Sequence, residues 1–209
     1  MLSPAITFHS APARWSSVVV NMPKGQIIIV TGPSGGGKTT LANLLLANDL
    51  TVKRVVTCTT REPRAGEVDG VDYHFLSQAQ FDAYLAADAF IEHANVYGKC
   101  YGTLKQSIIE ITKTGDNVLL VMDVQGAKTI RSKKLLPTIV VFLSVPIDTL
   151  RLRLVRRGKD EAITINKRLK IAELEMAQAE DFDHIIHSES PEDDLAAMQK
   201  ILAGHGSQT

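Results

Sequence analysis

The fold of this chain is decided by the stretch Gly32-Pro33-Ser34-Gly35-Gly36-Gly37-Lys38-Thr39. It fits the phosphate-loop pattern, in which a glycine and four further residues precede Gly-Lys-Ser/Thr. Apolar residues 27–30 come before it and amphipathic residues 40–46 come after it, as expected of a strand and a helix. Glycines let backbone N–H groups converge on phosphate oxygens, and a helix N-terminus adds its positive dipole end. The stretch therefore predicts a nucleoside triphosphate site, with Lys38 at the β- and γ-phosphates and the Thr39 hydroxyl on Mg²⁺.

The composition is that of an ordinary globular protein without net charge. The 209 residues are 44% hydrophobic and 22% charged, and Lys plus Arg and Asp plus Glu both total 23. This length allows one sizeable core with small inserted lobes. Because the net charge is zero, we expect neither nucleic acid nor a membrane as a partner. Cys58 and Cys100 lack metal-ligand spacing, which predicts free thiols in a reducing compartment, the cytoplasm.

Residues 1–24 differ from the rest of the chain. They contain three prolines and several Ser and Ala residues, and their only charges are Arg14 and Lys24. The segment has neither the basic start nor the long apolar core of a secretory signal. We therefore expect an N-terminal extension that is mobile, followed by the functional domain over residues 25–209.

Apolar runs rich in β-branched residues recur along the chain, and helical patterns separate them. The runs lie at residues 27–30, 55–56, 118–122, 139–143 and, more weakly, 185–186. Unbroken runs, rather than alternating ones, are typical of strands that are covered on both faces. The pattern predicts an α/β fold of the doubly wound phosphate-loop type, with a parallel sheet flanked by helices.

Two regions interrupt this pattern. Residues 57–104 are polar, turn-rich and aromatic, which predicts a lobe inserted into a core of residues 25–56, 105–150 and 169–209. Residues 151–168 are dense in Arg and Lys and are broken by Gly158. Such a run is often a solvated helix face. Downstream of a phosphate loop, it favours a mobile lid that covers phosphates.

The inserted lobe begins with two arginines suited to a second phosphate group. Arg61 and Arg64 lie on either side of Pro63, which stiffens the backbone. An Arg side chain matches phosphate oxygens bidentately and keeps its charge. This pair predicts the binding of a phosphate other than those on the loop.

The ordered set of motifs resembles the guanylate kinase family over residues 22–188. Each motif alone is weak, but all seven in sequence are very specific. They are Gly-Pro-Ser-Gly-x-Gly-Lys from 32, Thr-Thr-Arg-x-Pro-Arg-x-Gly-Glu from 59, Gly-x-Asp-Tyr-x-Phe from 70, Phe-Ile-Glu-x-Ala from 90, Tyr-Gly-Thr from 101, Asp-Val-Gln-Gly from 123, and Arg-Gly from 157 with a later Asn-Lys-Arg from 166.

For the acceptor nucleotide, the resemblance implies a GMP site in the inserted lobe, with dGMP as a second acceptor. The residues implied at the GMP phosphate are Arg61, Arg64, Tyr73 and Tyr101, with Glu67 in the same motif. Glu92 is implied at the guanine edge, helped by the hydroxyls of Thr57 and Thr103. A carboxylate accepts hydrogen bonds from both N1 and N2 of guanine, and it would be left unpaired against adenine.

For the donor nucleotide, the resemblance implies Mg-ATP bound by residues 32–39 and Thr40. Thr39 and Asp123 would hold the Mg²⁺ ion, directly or through water, and Asp123 would also lie near GMP. Arg157 and Arg168 correspond to lid arginines, with Arg153 as a further candidate. The implied catalytic residues are Lys38, Arg61, Arg64, Arg157 and Arg168. They would neutralise charge on the transferred group, and the anionic GMP phosphate needs no general base.

Three positions depart from the family pattern. One is at Lys99-Cys100, before Tyr101, where the family often has an Asn, and two concern the nucleotide sites. Val121 stands two residues before Asp123, where the family usually has an acidic residue. Ser188 stands after the last predicted strand, where the family usually has an Asn beside the adenine. None of these departures affects the loop lysine or the phosphate-binding arginines, so the resemblance still implies an active enzyme.

Two alternatives remain open. A domain of this fold could act as a protein-binding module without catalysis, which the presence of Lys38 and Thr39 argues against. A different phosphate-loop kinase could use another acceptor, which Glu92 with Thr57 and Thr103 argues against.

We expect the protein to be a monomer or a homodimer.

Overall fold

The structure is a computed structural model that describes residues 25–96, 98–156 and 162–206. The expected N-terminal extension lies outside the described residues, as do Arg157 and Gly158 of the expected lid. The chain divides into two compact units. One contains Gly25 with residues 54–116, and the other contains residues 26–53 with the described residues from 117 onward.

Nine strands and seven α-helices form within the described residues. The strands are β1 (Ile27–Thr31), β2 (Val52–Arg54), β3 (Cys58–Thr59), β4 (His74–Phe75), β5 (Phe90–Val96), β6 (Lys99–Leu104), β7 (Asn117–Val121), β8 (Thr138–Ser144) and β9 (His184–His187). The helices are α1 (Lys38–Asn48), α2 (Gln78–Ala86), α3 (Lys105–Lys113), α4 (Val124–Lys133), α5 (Ile147–Arg156), α6 (Ala162–Met176) and α7 (Pro191–Gly206). Of these described helices, none combines the length and the apolar character needed to cross a membrane.

A five-stranded sheet of order β2-β7-β1-β8-β9 organises the unit that contains the phosphate loop. Strand β1 runs parallel to β7 and β8, and β8 runs parallel to β9. All five side chains of β1 are buried, as expected of a strand covered on both faces. The predicted α/β fold, with a parallel sheet flanked by helices, is confirmed.

Helices α1 and α7 cover one face of this sheet. The apolar cluster there joins the sheet to both helices, and its members include Ile28, Val30, Leu41, Leu45, Val141, Leu143, Ile186 and Met198. A second cluster holds α5 and α6 together, and it is formed by Val145, Leu150, Leu154, Ile165, Leu169 and Ala172. Burial of such side chains is the dominant favourable term in folding, so these clusters hold α1 and α7 on the sheet and α5 against α6.

Two boundaries predicted from the sequence are wrong. The strand expected at residues 55–56 lies at Val52–Arg54. Val55 is buried outside any strand, so its apolar character reflects burial rather than strand pairing. The helix expected after residue 168 begins at Ala162. The residues of its buried face are Ile165, Leu169 and Ala172.

The other unit is built on a four-stranded sheet of order β4-β3-β6-β5. Strand β6 pairs antiparallel with β3 and β5, and β3 pairs parallel with β4. Phe81 of α2 stacks on Phe90 of β5, with ring centroids 4.5 Å apart. Helix α2 begins with a capping box, in which the side chains of Ser77 and Gln80 each accept a hydrogen bond from the other's backbone N–H. The unit contains all residues of the expected inserted lobe.

Both cysteines lie in this unit and are free. Cys58 on β3 is fully buried. Burial, with a smaller contribution from the charge of Asp69, raises the pKa of the Cys58 thiol to about 12. Because the thiolate is the reactive form, Cys58 is unreactive at neutral pH, whereas Cys100 on β6 is partly exposed.

Candidate active site

The predicted phosphate loop connects β1 to α1. Gly32 adopts a φ of +131°, and a Cβ atom there would lie 2.5 Å from the backbone oxygen of Leu143 on β8. A side chain therefore has no room at this position. Gly37, immediately before α1, adopts a φ of +107°, which is rare for residues with a Cβ atom. The first N–H groups of α1 have no partner within the helix and are available to an anion at the loop.

Lys38 folds back over the loop. Its Nζ atom donates hydrogen bonds to the carbonyl oxygens of Gly32, at 2.7 Å, and Pro33, at 3.0 Å. Thr39 and Thr40 follow in the first turn of α1, and both are exposed. An ammonium group and two hydroxyl groups therefore lie at the N-terminus of α1, where the helix dipole also favours an anion.

The unit that contains the phosphate loop also contributes the carboxyl groups of Asp123 and Glu175. Asp123 follows β7, which neighbours β1 in parallel with Val121 opposite Val30, so the two strands end at one edge of the sheet. The Asp123 Oδ1 atom accepts a hydrogen bond from the Gly126 N–H at 2.8 Å and caps α4. Burial raises the pKa of Glu175 on α6. The negative charge of Asp123 raises this pKa further, and the positive charge of Lys38 lowers it. Glu175 is thus close enough to both groups to interact with their charges.

Arginines of α5 and α6 belong to this unit as well. Arg153 donates a hydrogen bond from Nη1 to the carbonyl oxygen of Gly36 at 2.8 Å. Arg168 on α6 is partly buried, and Arg157 is among the undescribed residues. A pocket of about 310 Å³ lies between the loop, α5 and α7. Its lining residues are Gly35, Gly37, Thr40, Leu41, Arg153, Arg156, Pro191 and Asp194.

In the other unit, Arg61 and Glu67 form a bidentate ion pair. Nη2 donates to Oε1 at 2.8 Å and Nη1 donates to Oε2 at 3.0 Å. The backbone N–H of Arg64 donates to the same Oε2 atom at 2.7 Å. The hydrogen bonds from Arg61, followed by that from the Arg64 N–H, hold the pKa of Glu67 below its ordinary value. Glu67 is likewise the main reason that the pKa of Arg61 is raised.

Aromatic rings surround the Arg61 guanidinium. Its Cζ atom lies 5.3 Å from the ring centroid of Tyr73 and 5.8 Å from that of Phe75. Tyr101 packs edge-on against Tyr73, with ring centroids 6.2 Å apart. We call this group, formed by Arg61, Glu67, Tyr73 and Tyr101, the Arg61 cluster. Arg64 adds its backbone N–H to the cluster, while its side chain is exposed.

Glu92 and Thr103 lie opposite each other on β5 and β6. The Thr103 Oγ1 atom donates a hydrogen bond to Glu92 Oε1 at 2.9 Å. Thr103 is only 1% exposed, and Glu92 is partly buried. Because Cys58 pairs antiparallel with Gly102, Thr57 and Thr103 are neighbours at the adjoining ends of β3 and β6. The three residues implied at the guanine edge are thus brought together.

Three residues at these sites are not singled out by the sequence. Arg156 is one of several arginines in a charged run, so nothing in the sequence distinguishes it. Glu175 and Asp194 are acidic residues on amphipathic helices, a pattern typical of a solvated face. Only the packing of α6 and α7 against the core brings these two carboxyl groups to the phosphate loop and its pocket.

Comparisons with known proteins assign the chain to a family. The family model described as guanylate kinase matches residues 24–205. The chain belongs to the guanylate kinase family. It is 41% identical over 181 residues to the guanylate kinase of Neisseria meningitidis, which covers 86% of this chain and 85% of that one. It is 36% identical over 179 residues to that of Clostridium perfringens, covering 86% and 83%.

A solved structure supports the same assignment. The crystal structure of guanylate kinase from Anaplasma phagocytophilum matches with a TM-score of 0.69 at 28% identity, covering 88% of each chain. The family resemblance and the fold predicted from the motifs are therefore both confirmed. The roles of individual residues remain predictions, which the geometry above now makes specific.

Proposed function

We propose that this protein is a guanylate kinase that transfers the γ-phosphoryl group of ATP to GMP and releases ADP and GDP. The observation that carries the proposal is the Glu92–Thr103 pair, which presents a fixed carboxylate in a chain of this family. dGMP, which differs only in its sugar, is the second acceptor. The reaction recycles GMP in purine nucleotide metabolism, in the cytoplasm, and the enzyme is a monomer or a homodimer.

Glu92 recognises guanine by its pattern of hydrogen-bond donors. Guanine presents N–H donors at N1 and N2, and an ionised carboxylate is an acceptor only. The hydrogen bond from Thr103 fixes the orientation of the Glu92 side chain before GMP binds. Adenine presents an acceptor at N1, so it would leave a partly buried carboxylate unpaired at a cost of about 1–3 kcal/mol or more. GMP is thereby selected over AMP.

The Arg61 cluster binds the phosphate of GMP. Both oxygens of Glu67 accept hydrogen bonds from Arg61 or from the Arg64 N–H. Glu67 is therefore a positioning residue, which holds the planar guanidinium so that its other N–H groups face a phosphate. The hydroxyls of Tyr73 and Tyr101 add neutral donors beside it. The exposed side chain of Arg64 supplies a second charge.

The phosphate loop binds ATP. The amides at the start of α1 accept the phosphate oxygens, and Lys38 exchanges its two loop carbonyls for oxygens of the β- and γ-phosphates. Mg²⁺ prefers oxygen ligands and keeps waters and substrate phosphates in its shell. Thr39 and Asp123 offer a hydroxyl and a carboxylate of that kind. The described residues include no group of three or more acidic, His or Cys side chains that could hold a metal by themselves, which fits an ion that arrives with ATP.

Transfer itself requires positioning and charge neutralisation. The GMP phosphate is already anionic, so no side chain has to remove a proton from it before transfer. Lys38 and the arginines Arg153, Arg157 and Arg168 neutralise the triphosphate, while Arg61 and Arg64 orient the attacking oxygen. Thr39 and Asp123 would hold Mg²⁺ when it is bound, and the ion would supply further positive charge to neutralise the phosphates. Exclusion of water from the bound nucleotides limits hydrolysis of ATP.

The test is an assay of ADP release from Mg-ATP with GMP, dGMP, AMP, CMP or UMP offered separately. We expect turnover with GMP and dGMP only. Turnover with AMP or a pyrimidine nucleotide would contradict guanine recognition by Glu92. GMP binding without turnover would instead show that the domain is a binding module.

A further inference from the structure

One buried hydroxyl group in the unit with the Arg61 cluster has no role in the reaction above. It belongs to Thr59 on β3, which is 0% exposed. The partners of Thr59 in the strand register are Tyr101 on β6 and Phe75 on β4. Register partners in a sheet point their side chains to the same face. Thr59 therefore lies between a ring of the Arg61 cluster and the Phe75 ring beside the Arg61 guanidinium.

The Thr59 hydroxyl connects two segments of the chain. Its Oγ1 atom accepts a hydrogen bond from the Arg61 N–H at 3.2 Å and donates one to the carbonyl oxygen of Cys100 at 3.0 Å. Arg61 follows β3, whereas Cys100 lies on β6 immediately before Tyr101. The hydroxyl thus ties the backbone of Arg61 to the backbone beside Tyr101.

Thr60 strengthens the connection between the same two segments. Its N–H donates to the carbonyl oxygen of Cys100 at 3.0 Å, and its Oγ1 atom accepts from the Cys100 N–H at 2.9 Å. The chain is therefore held on β6 up to Thr60. The Thr59 hydroxyl extends this hold by one residue, to the N–H of Arg61.

Thr59 itself cannot bind GMP. A hydroxyl group has one proton to donate, and that of Thr59 is donated to Cys100. The side chain is also fully buried. Any effect of Thr59 on a substrate must therefore pass through Arg61. Glu67 holds the guanidinium end of Arg61 and Thr59 holds its backbone end, so the side chain is fixed at both ends.

We propose that Thr59 is a positioning residue that fixes Arg61 relative to Tyr101, so that both side chains meet the phosphate of one GMP molecule. The inference rests on the proposed function, because it takes the Arg61 cluster as the phosphate site. A site that is ordered before the ligand arrives avoids the cost of ordering it on binding. Loss of the hydroxyl frees the Arg61 backbone and should weaken the binding of the phosphate.

The experiment compares GMP with guanosine, which lacks the phosphate, as ligands of Thr59→Val and Thr59→Ser. Valine has nearly the shape of threonine but no hydroxyl, whereas serine keeps the hydroxyl. We expect Thr59→Val to weaken GMP binding and to raise the KM for GMP, each by about tenfold. Its affinity for guanosine and its KM for ATP should be unchanged. Thr59→Ser should bind GMP within about twofold of the wild type.

The matched control is Thr112→Val. Thr112 on α3 is also 0% exposed and lies in the same unit, but its hydroxyl donates to the carbonyl oxygen of Ile108 within the helix at 2.9 Å. This variant should keep the wild-type affinities for GMP and guanosine. An unchanged affinity for GMP in Thr59→Val would overturn the proposal. An equal loss of affinity for GMP and guanosine would also overturn it, because the hydroxyl would then support the whole unit rather than the phosphate site.

A measurement on the wild type does not depend on the folding of a variant. Hydrogen exchange followed by NMR without GMP should show that the Arg61 amide proton is protected by about tenfold or more relative to an unstructured chain. Exchange at the rate of an unstructured chain would overturn the proposal, because Arg61 would not be held before GMP binds.

The wild-type affinities separate this inference from the proposed function. If the wild type binds GMP no more tightly than guanosine, then the Arg61 cluster does not bind the phosphate and the proposed function fails with it. If the wild type prefers GMP and Thr59→Val keeps that preference, then only the role of Thr59 is refuted.

Discussion

At the scale of single residues, Glu67 is the residue that we propose positions Arg61 for the GMP phosphate. Both of its oxygens accept hydrogen bonds from Arg61 or the Arg64 N–H, so we expect its effect on GMP to pass through the Arg61 guanidinium. We expect Glu67→Gln to raise the KM for GMP about tenfold, because one charge-assisted hydrogen bond of the pair is lost. The KM for ATP should be unchanged. Steady-state kinetics with each substrate varied in turn provide the measurement.

A control for this variant is Glu62→Gln. Glu62 is exposed, and only its backbone oxygen contacts Arg61, so its carboxylate has no part in the cluster. If Glu67→Gln behaves like this control, or if its KM for ATP rises as much as its KM for GMP, then Glu67 does not position Arg61 for the GMP phosphate.

His74 on β4 links pH to stability. Burial lowers the pKa of its imidazole, and the charge of Asp69 opposes this shift. In the unfolded chain the imidazole takes up a proton at about pH 6.5, whereas in the folded chain it does so only at a lower pH. The free energy of unfolding therefore falls as the pH decreases through that value toward the folded pKa. We expect His74→Gln to reduce the loss of stability between about pH 7 and pH 5, as measured by urea unfolding at both values.

His93 provides the comparison. It lies exposed on β5, so His93→Gln controls for the loss of an imidazole elsewhere in the same unit. Identical pH dependence in the wild type and in His74→Gln would show that protonation of His74 is not linked to folding.

At the scale of elements, the junction of β1 and α1 depends on close backbone approach. A Cβ atom at Gly32 would lie 2.5 Å from the backbone oxygen of Leu143, at a φ of +131°. We expect Gly32→Ala to lower the free energy of unfolding by more than about 1 kcal/mol and to weaken ATP binding, since the loop must shift. Chemical unfolding and calorimetry with ATP measure the two effects.

Gly204 on α7 is the matched glycine for this test. A Cβ atom there would meet nothing within 4 Å, so Gly204→Ala should be neutral or stabilise the helix by up to about 1 kcal/mol. Equal stability of Gly32→Ala and the wild type would mean that the contact with β8 does not constrain the loop.

The elements also show what the sequence could predict. Unbroken apolar runs located β1, β7, β8 and β9 within two residues of their observed ends, because strands covered on both faces need apolar side chains at every position. The same signal failed at residues 55–56, where burial occurs without strand pairing. The start of α6 was missed because charged residues surround its buried face. Asp194 and Glu175 could not be found, since their proximity to the loop depends on tertiary packing.

At the scale of the whole molecule, the two nucleotides are assigned to different compact units. The phosphate loop, Asp123 and the pocket with Asp194 belong to one unit, whereas the Arg61 cluster and the Glu92–Thr103 pair belong to the other. Ser188 is hydrogen-bonded to Asp194 in the unit that contains the phosphate loop. We therefore expect a substitution in one unit to alter the KM for the nucleotide that is assigned to that unit.

The most direct test of this account is the ratio of kcat/KM for GMP to that for AMP, with Mg-ATP as donor, in the wild type and in Glu92→Gln. Replacing the carboxylate with an amide removes an acceptor for the guanine N–H groups. We predict that kcat/KM for GMP falls by about tenfold or more and that the preference over AMP shrinks with it, while the KM for ATP is unchanged. An unchanged preference for GMP in the variant would contradict the account.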